Sequence, residues 1–273
     1  MSKSIFMRFP GGLAKALTLS YDDAVRDDYR LIEIMKKNGL CGTFNINSGL
    51  FGPDDRSGNR LSAEEVKELY SQEGIEPAIH GTLHPVWSTQ EQYTMLSDIF
   101  IDRQKLEEMF GHPIRGGAYP FGAYNDKAVE NLNSCGIRYC RTTVSTERTS
   151  MPENWLTLHP TCHHNNPRLM ELARKFVERD IPRDPGMFYL WGHSYEFPRD
   201  NNWNVIEEFA EFMGGAEGIW HATNIEIYDY TKAFESLQFT LNGDCVYNPT
   251  CTEVWFKAGH DICSVKPGET LKI

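Results

Sequence analysis

The stretch Ala16-Leu17-Thr18-Leu19-Ser20-Tyr21-Asp22-Asp23 reads as a buried strand that runs straight into two carboxylates. Neighbouring side chains on a strand point to opposite faces. At a strand end they can instead converge on one cleft with different jobs. The plainer reading is a helix N-terminus, with Asp22 or Asp23 capping the helix that follows. The rest of the chain decides between the two.

Downstream of this stretch, strand and helix patterns alternate. KALTLSY is a strand and DDYRLIEIMKKNG a helix, with Leu31, Ile34 and Met35 as its apolar stripe and Gly39 as its stop. CGTFNIN is a second strand. SAEEVKELYSQ is a helix opening on a capping box, Ser62 with Glu65. EPAIHG is a third strand. A long helix is expected from Ser88 to Phe110, with Ser88 and Glu91 as another capping box and a stripe of Tyr93, Leu96, Phe100, Met109 and Phe110. IRGGAYP, IRYCRTT, WLTLHPTC, MFYLWGH and GIWHATN supply strands four to eight, with helical segments between most of them. Eight strands interleaved with helices point to an α/β fold, a distorted parallel (β/α)7–8 barrel. After Ser236 the rhythm changes to short strands with turn signals at Asn242-Gly243 and Pro267-Gly268. The expected division is a barrel over 1–235 and a small β extension over 236–273.

The chain's 273 residues are a normal length for such a barrel. A net charge of -11 argues against nucleic acid or an anionic membrane surface as partner. No run approaches the ~20 apolar residues of a membrane helix. Seven cysteines, an odd number with no C-x-x-C pair, suit reduced thiols. With no signal-peptide-like start, these features give a cytoplasmic expectation. A homo-oligomer is left open.

In a parallel barrel the working groups sit at the C-terminal ends of strands. Collected there are Asp22-Asp23, His80 and His84, Tyr119-Pro120-Phe121-Gly122, the HPTCHH stretch, and Trp191-Gly192-His193. Two imidazoles and one carboxylate make an open site for one divalent ion. Zn²⁺ is the first expectation, with Co, Ni, Fe or Mn as alternatives. His80 and His84 must be brought together by the turn Gly81-Thr82-Leu83.

SYDD, HGTLHP, AYPFG and LWGH occur in the order and spacing of the polysaccharide deacetylase (NodB-homology) family, which the chain resembles over residues 14 to 235. Its usual motifs read T-F-D-D-G, H-[ST]-x-x-H, R-x-P-Y-G and a Leu-x-His-like element. The resemblance implies a distorted (β/α) barrel that removes N- or O-acetyl groups from sugars with one divalent metal. It implies Asp22 as general base and Asp23, His80 and His84 as metal ligands. It further implies His193 as general acid and the backbone N–H of Phe121 as oxyanion donor. Substrate contacts are expected from Tyr119, Pro120, Trp191, Glu196 and His163.

The chain departs from the pattern in three places. Ala118 stands where the third-motif arginine belongs. Arg141, near the end of the next strand, is the expected replacement and partner of Asp22, with Arg115 as rival. Asn154-Trp155 lacks the acid of the Asp-Trp motif. Glu196, three residues after His193, is placed to orient that imidazole, and His163 or His164 can face the cleft. Ala24 replaces the first motif's glycine, so the turn keeps negative φ or accepts strain. The expected function is a metal-dependent carbohydrate deacetylase. The alternatives are an amidohydrolase of a small cyclic amide or ureide, and a non-catalytic sugar-binding barrel.

Overall fold

A computed structural model describes residues 4–52 and 59–273. In chain order its elements are β1 Ile5–Arg8, β2 Lys15–Asp22, α1 Asp28–Lys37, β3 Gly42–Ile46, α2 Ala63–Tyr70 and β4 Ile75–Ile79. Next come α3 Gln92–Phe110, β5 Gly116–Ala118, α4 Asp126–Ser134, β6 Tyr139–Arg141 and β7 Cys162–His163. They are followed by α5 Leu169–Glu178, β8 Gly186–Gly192, α6 Glu196–Asp200, α7 Trp203–Gly214, β9 Ile219–His221 and α8 Asn224–Glu235. The chain ends in β10 Gln238–Phe239, β11 Cys245–Tyr247, β12 Val254–Ala258, β13 Asp261–Val265 and β14 Thr270–Lys272.

The opening stretch is β2, the hub of the sheet. Parallel strands run in the order β6-β5-β4-β3-β2-β8-β7, and β9 joins β2 separately. One edge of β2 pairs with β8 along Lys15–Tyr21. The other edge is shared, with β9 taking Lys15–Leu17 and β3 taking Leu19–Asp22. The eighth expected strand therefore does not close the barrel between the seventh and the first. It fills the free edge left because β3 starts only opposite Leu19. The sixth expected strand is also broken. Trp155–Thr157 is a turn of 3-10 helix, Leu158 bridges to Arg141 of β6, and only Cys162–His163 pairs with β8. This broken strand is the seam of the barrel.

Alternation along the strands sorts their two faces. Leu17, Leu19 and Tyr21 of β2, with Phe44, Ile46, Phe188 and Leu190, pack outward under the helices. The inward positions are polar and mutually bonded. Asn45 Nδ2 donates to Ser20 Oγ at 2.9 Å, and Thr18 Oγ1 donates to Asn224 Oδ1 at 2.8 Å. Glu76 accepts from Thr43 Oγ1 at 2.8 Å and from the Tyr139 hydroxyl at 2.6 Å. A polar interior costs stability unless its groups are paired, and here they pair with each other.

The helices depart from expectation in detail. Ser62 and Glu65 form the expected capping box of α2. Ser88 does not cap α3, because Trp87–Thr89 is a separate 3-10 turn and Glu91 stands at the helix N-cap. The buried face of α3 is Met95, Ile99, Asp102 and Leu106, while Tyr93 and Phe100 are exposed. In α1 the buried residues include Ile32 in place of Ile34. The C-terminal strands form two antiparallel sheets, β10-β11-β14 and β1-β12-β13, so the first strand of the chain pairs into the second of them. Asn242-Gly243 and Pro267-Gly268 lie at their turns. Among the described residues no disulfide bond joins the cysteines. Among the described residues no helix is long and apolar enough to cross a membrane.

Candidate active site

The period of β2 puts Thr18, Ser20 and Asp22 on the inward face. Asp22 is 2% exposed. Its Oδ1 accepts from Asn45 Nδ2 at 2.8 Å, and its Oδ2 accepts from the Arg141 guanidinium. The Nε2 atoms of His80 and His193 each lie 3.7 Å from the same Oδ2. Burial alone would raise this carboxyl, but Arg141 and the two imidazoles outweigh it and hold it at about 2. Arg141 is itself buried, with its guanidinium carbon 4.4 Å from the centre of the Trp191 ring. The rival Arg115 instead pairs with Asp229.

Asp23 leaves the strand in a left-handed conformation, φ 88°, and Ala24 follows at φ 53°. The turn therefore accepts strain that costs roughly 1–2 kcal/mol per residue. This answers the question posed by two adjacent acids. Strand alternation sends Asp22 inward, and the left-handed turn swings Asp23 onto the same rim. Asp23 accepts from Arg60 at Oδ1 (3.3 Å) and at its carbonyl.

His80 ends β4. Its Nδ1 lies 2.9 Å from the Ala118 carbonyl, which places the ring proton on Nδ1 and the lone pair on Nε2. The expected turn then brings His84 round, so that its Nε2 sits 3.1 Å from His80 Nε2. Gly81 makes this turn at φ +75°, where an added Cβ would stand 2.7 Å from Pro85. Asp98 of α3 accepts from Trp87 Nε1 at 2.7 Å and also holds Thr82. Burial, then the neighbouring His80, push the His84 ring down to about 4, which keeps it neutral. Two facing ring nitrogens with a carboxylate oxygen of Asp23, all within 4.8 Å, fit a single divalent ion. The donor set of two His and one Asp leaves coordination positions for water and substrate.

His193, after β8, lies across the cleft. Its Nδ1 is 3.6 Å from Glu196 Oε1. Burial favours the neutral ring, but Glu196 and Asp22 prevail and raise its pKa. Burial would likewise raise Glu196, yet its histidine neighbours hold it well below the usual carboxylate range. His163 Nε2 and His164 Nε2 lie 3.0 and 3.1 Å from its Oε2. His163, His193 and Glu196 resemble a second metal cluster. The proton positions argue otherwise. The Asn165 N–H donates to His163 Nδ1 at 3.1 Å, so that ring carries its own proton on Nε2, beside the Glu196 carboxylate, and presents no lone pair there to a cation. His164 is wholly buried, 4.2 Å from the Phe197 ring centre, and takes no part in the cleft.

Several side chains expected at the substrate are buried in the structure. Tyr119 is 1% exposed with its hydroxyl donated to the Leu156 carbonyl at 2.8 Å, and Pro120 is buried beneath it. Trp191 is 8% exposed and serves as the platform under Arg141. Glu196 and His163 are occupied with each other and with His193. The rim is instead lined by Phe121, 64% exposed, together with Leu83 and Tyr124. The Phe121 ring packs edge-on to His84 at 4.3 Å. Its φ of 59° and the tight Pro120–Gly122 turn fix the backbone there. At Gly122 a Cβ would collide with Thr143.

The sequence reading missed Asn45, Arg60 and Asp102. Asn45 is signalled by the alternation Thr43-Phe44-Asn45-Ile46-Asn47, polar on one face of a buried strand. Asp102 is signalled by its place in the apolar face of α3. Its Oδ1 accepts from Ser48 N and its Oδ2 from His80 N, both at 3.0 Å, which pins the loops after β3 and β4. Arg60 carries no local signal.

Comparison with known proteins follows the same lines. The polysaccharide deacetylase family model matches residues 11–140. No curated protein matches the chain. A candidate polysaccharide deacetylase of Mycobacterium smegmatis superposes with a TM-score of 0.62 at 17% identity, over 88% of this chain and 97% of that one. A family 4 carbohydrate esterase from Streptomyces lividans, in complex with acetate, gives 0.51 at 16% identity, over 76% and 92%. A Streptococcus pyogenes deacetylase in complex with acetate gives 0.45 at 22% identity over 51% of this chain, which spans 61% of that structure's length. At such identities the likeness is one of fold. The matched residues 11–140 carry Asp22, Asp23, His80 and His84, and the fold over most of the chain is that of these polysaccharide deacetylases and esterases.

Proposed function

We propose that the protein is a metal-dependent deacetylase that removes an acetyl group from a carbohydrate. The observation that carries this reading is the pair of Nε2 atoms of His80 and His84, 3.1 Å apart beside Asp23, with Asp22 and His193 across the same cleft. Asp23, His80 and His84 would hold the metal. A divalent ion in such a site lowers the pKa of water and polarises an acyl carbonyl. Asp22, kept ionised by Arg141, takes a proton from the attacking water. His193, whose pKa Glu196 and Asp22 raise against burial, gives a proton to the departing amine or alcohol. The Phe121 N–H is the donor for the developing oxyanion. The exposed apolar side chains Phe121, Leu83 and Tyr124 suit the faces of sugar rings and favour an oligosaccharide over a small cyclic amide. An odd count of seven cysteines with no C-x-x-C pair supports a reducing compartment.

The test is acetate release from N-acetylated chitooligosaccharide and from acetyl-xylan, with Zn²⁺- and Co²⁺-loaded protein, beside hydrolysis of hydantoin-type compounds. Acetate release that stops on chelation supports the reading. Turnover of the cyclic amides without acetate release would overturn it.

A further inference from the structure

The strained turn at Asp23 and Ala24 is not held by β2 alone. Residues 59–61 run back beside it. Val25 and Arg60 form an antiparallel bridge, the Arg26 N–H donates to the Asn59 carbonyl at 2.9 Å, and the Leu61 N–H donates to the Ala24 carbonyl at 3.3 Å. This pairing sets the Arg60 side chain beside Asp23. Its Nη1 donates to the Asp23 carbonyl, and its Nη2 donates to Asp23 Oδ1 at 3.3 Å. The same Nη1 donates to Asn47 Oδ1 at 3.0 Å. Asn47, in the loop after β3, is 1% exposed. Its Nδ2 donates to the carbonyls of His80 at 2.7 Å and Gly81 at 3.0 Å. An unbroken run of hydrogen bonds thus joins Asp23 to the turn that brings His80 and His84 together. We propose that Arg60 and Asn47 are positioning residues that hold the Asp23 carboxylate at a fixed separation from the two imidazoles, and so set the affinity of the site for a divalent ion.

The chemistry of the run fits this task. A guanidinium only donates and a carbonyl only accepts. A buried side chain between them must accept at one end and donate at the other. The carboxamide of Asn47 does both, whereas a carboxylate there would keep Arg60 and lose the two carbonyls. Backbone strain points the same way. A left-handed conformation such as that of Asp23 and Ala24 persists only when its surroundings over-determine it. The Asp23 N–H is fixed on the Asn45 carbonyl at 2.9 Å, and Arg60 holds its carbonyl. Arg60 engages one carboxylate oxygen, and a carboxylate so held still has the other to offer a cation. By charge alone, a guanidinium beside Asp23 opposes a cation there. Its charge and its positioning therefore predict effects of opposite sign.

The proposal rests on Asp23, His80 and His84 as metal ligands, and metal uptake by the unaltered protein tests that separately. The readouts are the Kd for Zn²⁺ and for Co²⁺ by chelator competition, and the visible spectrum of the Co²⁺ protein. Arg60→Met and Asn47→Asp should each bind both ions more weakly, by roughly 10–100-fold, with an altered Co²⁺ spectrum. Charge alone would make both variants bind more tightly, since one loses a positive charge and the other gains a negative one. The double variant should be little worse than the poorer single one, because both cut the same run of bonds. In metal-free protein, the Asn47 side-chain amide protons should exchange with solvent faster in Arg60→Met. This last readout needs no metal, so it judges the proposal even if the unaltered protein takes up neither ion. If Asn47→Asp does not fold, Arg60→Met, whose side chain is partly exposed, carries the sign of the effect. Unchanged or tighter binding in Arg60→Met, additive losses in the double variant, or unchanged exchange of the Asn47 amide would each overturn the proposal.

Discussion

Replacing Arg141 by methionine tests the electrostatics of the cleft at its most buried point. Methionine keeps the length and packs on Trp191, but removes the charge and the bond to Asp22 Oδ2. Asp22 then keeps Asn45 at 2.8 Å and the two imidazoles at 3.7 Å. Its carboxyl now sits at about 2, against an ordinary 3.8. With Arg141 gone, the strongest of the charges that oppose burial is lost and the value rises. A lowered carboxylate pKa gives stability that is present above the unfolded value and lost as pH falls through the folded one. Arg141→Met therefore removes stability at neutral pH. The shift back to 3.8 alone is worth about 2.5 kcal/mol at ~1.36 kcal/mol per pKa unit. That agrees with the low end of the ~3–5 kcal/mol cost of breaking a buried ion pair from one side. The assays are a urea melt at pH 7, metal content, and kcat/KM from pH 4 to 9. Expected are a destabilisation of about 3 kcal/mol, unchanged metal, lower kcat and an acid limb moved upward. An unmoved acid limb together with wild-type stability would refute the reasoning, as would any comparable effect of Arg115→Met.

Other expectations follow from the same geometry. Asp22→Asn should keep its metal and lose hydrolysis, since the shape remains and the base is gone; retained hydrolysis with intact metal would show that Asp22 is not the base. His193→Ala should hurt amide substrates much more than an activated aryl acetate, whose leaving group needs little protonation; equal losses would make His193 a substrate-positioning group. Glu76, buried among Thr43, Tyr139 and the Ile225 N–H, is pushed by burial up to about 7. The folded state therefore holds a proton that the unfolded state releases from about pH 4.5. Its contribution is present at low pH and lost as pH rises towards 7, roughly 3 kcal/mol in all. Glu76→Gln should flatten that part of the pH–stability curve, and an unchanged slope between pH 5 and 7 would count against it.

How far the sequence carries depends on what each signal measures. The inward Asp22 follows from strand alternation alone. Arg141 is legible because it ends a strand whose neighbour lacks the expected arginine. The broken sixth strand is not legible, because Leu158 and Cys162 satisfy two different neighbours and apolar pattern does not report pairing. The face of α3 is misread for a related reason. Counting apolar residues favours Tyr93 and Phe100, while tertiary bonds to Thr82, Trp87, Ser48 and His80 bury Asp102 and engage Asp98. Exposure at the rim is the least legible, since position at a strand end does not separate Tyr119, buried under the rim, from Phe121, which stands on it.

The central claim is that Asp23, His80 and His84 hold one divalent ion. An anomalous-scattering map of crystals grown with Zn²⁺, collected on both sides of the zinc edge, tests it directly. The account predicts one peak bonded to both Nε2 atoms and to a carboxylate oxygen of Asp23, at about 2.0–2.2 Å from each, and no such peak in His80→Ala. A sole peak at Glu196, His163 and His193, or an unchanged peak in the His80→Ala crystals, would contradict it.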